Sequence, residues 1–120
     1  MSKPLVMIIE DDPTLNEIFT ITLTSDFETE TYSEGETALA RLAQVVPSLV
    51  VLDLHLPGMP GREILSKIRA DERLANTRVI LATADERQAD MLYDRADMVL
   101  LKPISPGQLK DLAQRLCTDC

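Results

Sequence analysis

Leu49-Val50-Val51-Leu52-Asp53-Leu54-His55-Leu56-Pro57-Gly58-Met59-Pro60-Gly61 is an apolar run that stops at an acid and then breaks into a turn. Four consecutive apolar residues leave no polar face, which is the pattern of a strand buried on both sides in a parallel sheet. Pro57 to Gly61 is loop chemistry. The stretch therefore predicts a central strand that delivers Asp53 to its carboxyl end.

The same grammar repeats outward in both directions. Leu5-Val6-Met7-Ile8-Ile9 is a second buried strand and runs into Glu10-Asp11-Asp12. Asp12 is placed to cap the next helix, with Pro13 in its first turn. Leu15, Ile18, Phe19, Thr22 and Leu23 follow at helical spacing, and Phe27 to Thr31 alternates weakly, as an edge strand does. Gly35 to Val46 places Ala38, Leu39, Leu42, Ala43 and Val46 on one helical face, and Pro47 ends it. Beyond the central stretch, Ile64, Leu65 and Ile68 mark a third helix. Val79-Ile80-Leu81-Ala82 is a fourth strand ending at Thr83, and Glu86 to Arg95 is a short fourth helix. Met98 to Leu101 is a fifth strand ending at Lys102-Pro103. Ser105-Pro106-Gly107-Gln108 opens the last helix as a capping box, with Leu109, Leu112, Ala113 and Leu116 on its buried face. Five strands alternating with five helices predict an α/β fold: a doubly wound, five-stranded parallel sheet in the flavodoxin-like order 2-1-3-4-5.

Composition narrows the function. The 120 residues suit one domain, residues 1–120, that ends with its last helix and carries no output domain. The formal charge of −8 disfavours direct nucleic-acid binding, which needs clustered Lys and Arg. Phe19, Phe27, Tyr32 and Tyr93 are the only aromatic residues, too few for a base-stacking surface. No apolar run approaches the roughly 20 residues of a membrane span, and no signal-peptide pattern is visible before the first strand. A cytoplasmic location is the expectation. Cys117 and Cys120 have C-x-x-C spacing, but no second pair exists to complete a zinc site, and they fall at a helix end. They read as incidental.

Ligands of doubly wound sheets bind beyond the carboxyl ends of the strands. Here four of those ends carry Glu10 and Asp11, Asp53, Thr83 and Lys102. Three carboxylates in one cleft repel unless a hard divalent ion such as Mg²⁺ joins them. An ammonium and a hydroxyl opposite complete a cradle for a phosphoryl group in transit, with Asp53 as the nucleophile.

The segments Ile8-Ile9-Glu10-Asp11-Asp12, Val50 to Gly61, Val79 to Ala84 and Leu101-Lys102-Pro103 resemble, in order and spacing, the receiver domain of two-component response regulators. The resemblance covers essentially the whole length. It implies that Asp53 accepts a phosphoryl group from a sensor histidine kinase or histidine phosphotransfer protein. It implies Mg²⁺ at Glu10, Asp11, Asp53 and the backbone carbonyl of His55, with Glu10 acting through water. Thr83 becomes the switch hydroxyl, Lys102 the partner of the acceptor carboxylate or its phosphate, and the Lys102–Pro103 peptide is expected to be cis. The expected output is a changed surface for an effector or effector domain, in a monomer or a weak phosphorylation-dependent dimer. The only chemistry expected is self-phosphorylation and autodephosphorylation.

Three positions depart from that family's pattern. Val99 stands where an aromatic residue is usual. The segment from Thr83 to Lys102 is about one helical turn short and lacks the usual glycine near Arg95. His55 and Asp85 flank the expected path of the attacking water. These departures sustain one alternative, a receiver-fold interaction module not controlled by phosphorylation. A haloacid-dehalogenase-type phosphatase is disfavoured because Asp53-Leu54-His55 lacks the second Asp, and a flavin site because Glu10-Asp11-Asp12 would repel the flavin phosphate.

Overall fold

The computed structural model describes residues 3–118; Cys120, and with it the C-x-x-C pair, lies outside the described residues. The elements are β1 (Leu5–Ile9), α1 (Pro13–Thr24), β2 (Glu28–Tyr32), α2 (Gly35–Leu42) and β3 (Leu49–Asp53). They continue with α3 (Gly61–Ala70), β4 (Arg78–Thr83), α4 (Glu86–Leu92), β5 (Met98–Leu101) and α5 (Pro106–Thr118). The strands form one sheet in the order β2-β1-β3-β4-β5, and every neighbouring pair is parallel. This is the doubly wound order expected from the sequence.

Alternate residues of each inner strand feed two cores. Met7, Ile9, Val50, Leu52, Val79 and Leu81 pack with Ala38 and Leu42 of α2 and Ile64, Leu65 and Ile68 of α3. Val6, Ile8, Leu49, Val51 and Ile80 pack with Phe19 and Leu23 of α1 and Leu109 and Ala113 of α5. All five residues of β3 are buried, which is why its sequence shows no alternation. No helix among the described residues is long and apolar enough to cross a membrane.

Asp12 caps α1 as expected, its Oδ1 accepting the N–H groups of Thr14 and Leu15. Asp85 does the same for α4 through the N–H groups of Arg87 and Gln88. Three expectations need correction. The helix expected to run to Val46 stops at Leu42, leaving Ala43 and Val46 exposed. Arg73, from a 3-10 turn at Glu72–Leu74, donates to the Leu42 carbonyl, and the chain turns away from the helix axis there. The helix expected to reach Arg95 ends at Leu92 and tightens into a 3-10 turn at Tyr93–Arg95. The second strand also begins one residue late, because Phe27 is drawn into the core beneath α1 and α5.

Gly61 is a point of close approach. A Cβ there would lie 2.5 Å from the carbonyl oxygen of Asp53 and 2.6 Å from Cα of Leu54. Both are backbone atoms, so no flexible side chain can yield. The start of α3 is thus seated directly on the chain that leaves β3. Gly61→Ala is expected to cost about 1–3 kcal/mol by overpacking, read as a lower urea midpoint at unchanged denaturant slope.

Candidate functional site

The parallel register brings four strand ends to one rim. Ile9 lies beside Leu52 and Asp53 beside Ala82, while Thr83 lies beside Leu101. The residues just past these partners, Glu10, Asp11 and Lys102, are therefore gathered around Asp53 and Thr83. Backbone bonds continue the pairing beyond the strands: the N–H of Leu54 donates to Ala82 and that of Lys102 to Thr83, at 3.1 and 2.8 Å. The Lys102–Pro103 peptide is cis.

Glu10, Asp53 and Thr83 are almost wholly buried, at 1%, 2% and 0% exposure, whereas Asp11 is exposed. Oxygens of Glu10, Asp11 and Asp53 all lie within 4.8 Å of one another. Lys102 Nζ donates to Glu10 Oε1 at 3.0 Å and stands 3.4 Å from Asp53 Oδ1. Lys102 thus reaches the expected acceptor carboxylate and also Glu10, to which it is closer. The His55 N–H donates to Asp53 Oδ1 at 3.1 Å, and the imidazole is exposed. Thr83 Oγ1 accepts the N–H of Asp85 at 3.0 Å. That bond uses one lone pair of the oxygen and leaves its proton to be donated. Val99 is half-buried and packs against the core beneath α2 and α3.

One contributor escaped the sequence reading. Asn16, one turn into α1, donates its carboxamide N–H to the Glu10 carbonyl at 2.9 Å, tying the acidic pair to the helix. Nothing in its spacing marks it, because the bond forms only when α1 folds back against the end of β1. Glu10 also accepts the N–H of Asp12 through Oε2 at 3.2 Å.

The electrostatics are unbalanced. Like charges within 4.8 Å repel by roughly 3 kcal/mol or more per pair at an effective dielectric near 20, and one ammonium cannot offset three carboxylates. Burial first, and then the neighbouring Asp53, push the Glu10 carboxyl from 4.5 up to about 7 against the pull of Lys102 and the Asp12 N–H. Burial pulls the Lys102 ammonium down, but its bond to Glu10 and the charges of Asp53 and Glu10 outweigh this and leave it above its ordinary value. A clustered, oxygen-only, partly exposed donor set of this kind could hold a hard divalent cation.

Residues 6–114 match the family of the response regulator receiver domain. The chain belongs to that family. This receiver is 34% identical over 108 residues to the DNA-binding response regulator MtrA of Mycolicibacterium smegmatis, a match covering 87% of the chain and 46% of MtrA. The chain thus spans about half the length of that relative. Among solved structures, the response regulator DrrB of Thermotoga maritima, an OmpR/PhoB homologue, matches with a TM-score of 0.87 at 25% identity, over 99% of this chain and 54% of DrrB. The receiver domain of the sensor histidine kinase PA1611 of Pseudomonas aeruginosa PAO1, solved with a magnesium ion coordinated in its active site cleft, has the same fold. Its TM-score is 0.88 at 22% identity, over 98% of this chain and 99% of that domain.

The raised Glu10 carboxyl makes stability depend on pH. Between the unfolded value near 4.5 and the folded value of about 7, the folded receiver holds a proton that the unfolded chain has lost, so stability falls as pH rises through this window. In metal-free protein we expect a loss on the order of 1–3 kcal/mol from pH 5 to pH 8, and Glu10→Gln should remove most of it. Urea titrations of both proteins at the two pH values measure this, and an equal loss of stability between pH 5 and pH 8 in both proteins would refute it.

Proposed function

We propose that this receiver takes a phosphoryl group onto Asp53 from a phosphohistidine of a sensor histidine kinase or histidine phosphotransfer protein. The observation that carries the reading is the meeting of three carboxylates within 4.8 Å with the Lys102 ammonium at 3.0 and 3.4 Å from two of them. In the transfer, a carboxylate oxygen of Asp53 attacks phosphorus and the P–N bond breaks. Its electron pair returns to the donor imidazole, and an acyl phosphate remains. Lys102 neutralises charge that builds on the phosphoryl oxygens, and the Thr83 hydroxyl donates to one of them.

Glu10, Asp11, Asp53 and the His55 carbonyl would hold Mg²⁺, with Glu10 reaching it through water. When bound, the ion supplies the positive charge that the three carboxylates lack and that the incoming phosphoryl group requires. The magnesium in the PA1611 receiver domain supports this choice of ion. Asp53, buried beneath the rim with one oxygen held by the His55 N–H, is oriented before the donor arrives. Hydrolysis of the acyl phosphate resets the domain. A changed surface passes the signal to an effector protein or effector domain, and the setting is cytoplasmic.

Val99, where an aromatic residue is usual, favours a second reading, an interaction module with this fold and no phosphorylation control. One experiment separates the two. Incubation with Mg²⁺ and acetyl phosphate should add the mass of one phosphoryl group to the wild type and none to Asp53→Asn, and chelation of Mg²⁺ should abolish the gain. Asp11→Asn should weaken Mg²⁺ binding by about tenfold or more, as loss of one carboxylate ligand requires. A wild type that stays unmodified and binds no Mg²⁺ would leave the interaction module as the reading.

A further inference from the structure

The charge of the chain is unevenly placed. Residues 61–97 carry seven Lys and Arg against eight Asp and Glu, whereas the remainder carries five against twelve. Seven of the eight net negative charges thus lie outside the segment from α3 to the start of β5. Within that segment, Pro60, Arg62, Glu63, Ser66, Leu92 and Arg95 line a groove of about 410 Å³ between α3 and the end of α4.

The two arginines of this groove have no carboxylate partner among the described residues. Arg41, Arg69, Arg73, Arg78, Lys102, Lys110 and Arg115 are all ion-paired. Asp94, directly before Arg95, forms no ion pair with it, and the carboxylate of Asp97, two residues on, is fully engaged. It accepts from Arg69 at 3.0 Å, from Arg78 at 3.3 Å and from the Val79 N–H at 2.7 Å. Arg95 is held in place instead of neutralised. Its Nη1 donates to Ser66 Oγ at 3.1 Å, and its carbonyl accepts from Arg69 Nε at 2.8 Å. A guanidinium fixed in this way loses little freedom when it meets an anion.

We propose that this groove docks an acidic peptide segment of a partner protein, with Arg62 and Arg95 taking its carboxylates and Leu92 and Pro60 its apolar contacts. Glu63 is the one carboxylate among the described lining residues, where two arginines outnumber it. The acidic remainder of the domain repels such a segment and steers it to this place. The site is separate from the phosphoacceptor rim, and the proposal stands whether or not Asp53 is phosphorylated.

The test uses ¹⁵N-labelled, unphosphorylated protein at low salt, titrated with an eight-residue glutamate peptide and followed by NMR. Saturable shifts at Arg62, Glu63, Ser66 and Arg95 are expected. Arg62→Ala/Arg95→Ala should weaken binding by about tenfold or more, Glu63→Gln should tighten it, and Lys110→Ala, on α5, should leave it unchanged. The Arg62 side chain is exposed and makes no hydrogen bond or ion pair among the described residues, so Arg62→Ala alone keeps the test open if loss of Arg95 unfolds the turn. Absence of saturable shifts, shifts centred elsewhere, or binding indifferent to Arg62→Ala would overturn the proposal.

Discussion

A parallel sheet must be covered on both faces, and that constraint governs everything else in the molecule. Each crossover returns the chain to the same edge of the sheet, so all strands point one way and their carboxyl ends share one rim. β3 lies between β1 and β4 with every residue buried. A polar side chain within it would be stranded in apolar surroundings, and the first place where β3 can present one is its end, at Asp53. The same logic puts Glu10, Thr83 and Lys102 at the ends of their own strands.

The rim is held in tension. Glu10 and Asp53 are nearly dry, and each has Lys102 as a counter-charge, at 3.0 and 3.4 Å. Removing a buried charge partner leaves an uncompensated ion, whereas adding a cation relieves one. The rim therefore sets three carboxylates against one ammonium, an imbalance that a bound cation would relieve. Backbone N–H groups complete the arrangement: that of His55 on Asp53, that of Asp12 on Glu10 and that of Asp85 on Thr83. Three of the loops beyond the strands are thereby tied to the side chains they display.

Away from the rim, a second set of bonds braces the shortened fourth helix. Arg69 of α3 joins the carbonyls of Thr77 and Arg95 and the carboxylate of Asp97. It thus binds α3, the entry to β4 and the turn after α4 into one unit. At the other end of α4, the cap residue Asp85 sends its N–H to the Thr83 hydroxyl. The helix is consequently anchored at its end to α3 and at its start to the rim.

By itself the sequence determined the order of elements, the doubly wound sheet and the membership of the rim. Apolar runs of four or five residues and the acids, hydroxyl and lysine that end them are local signals, and local signals are visible without coordinates. Helix ends were less legible. Gly35 to Val46 keeps helical periodicity past the end of α2 at Leu42, where the Leu42 carbonyl accepts from Arg73, thirty-one residues away. Only the tertiary structure decided that Lys102 bridges Glu10 and Asp53, that Asn16 steadies the acidic pair, and that Arg62 and Arg95 share a groove without a carboxylate partner among the described residues. Each of these depends on which side chains the packing of distant elements brings within a few ångströms, and spacing along the chain does not encode that distance.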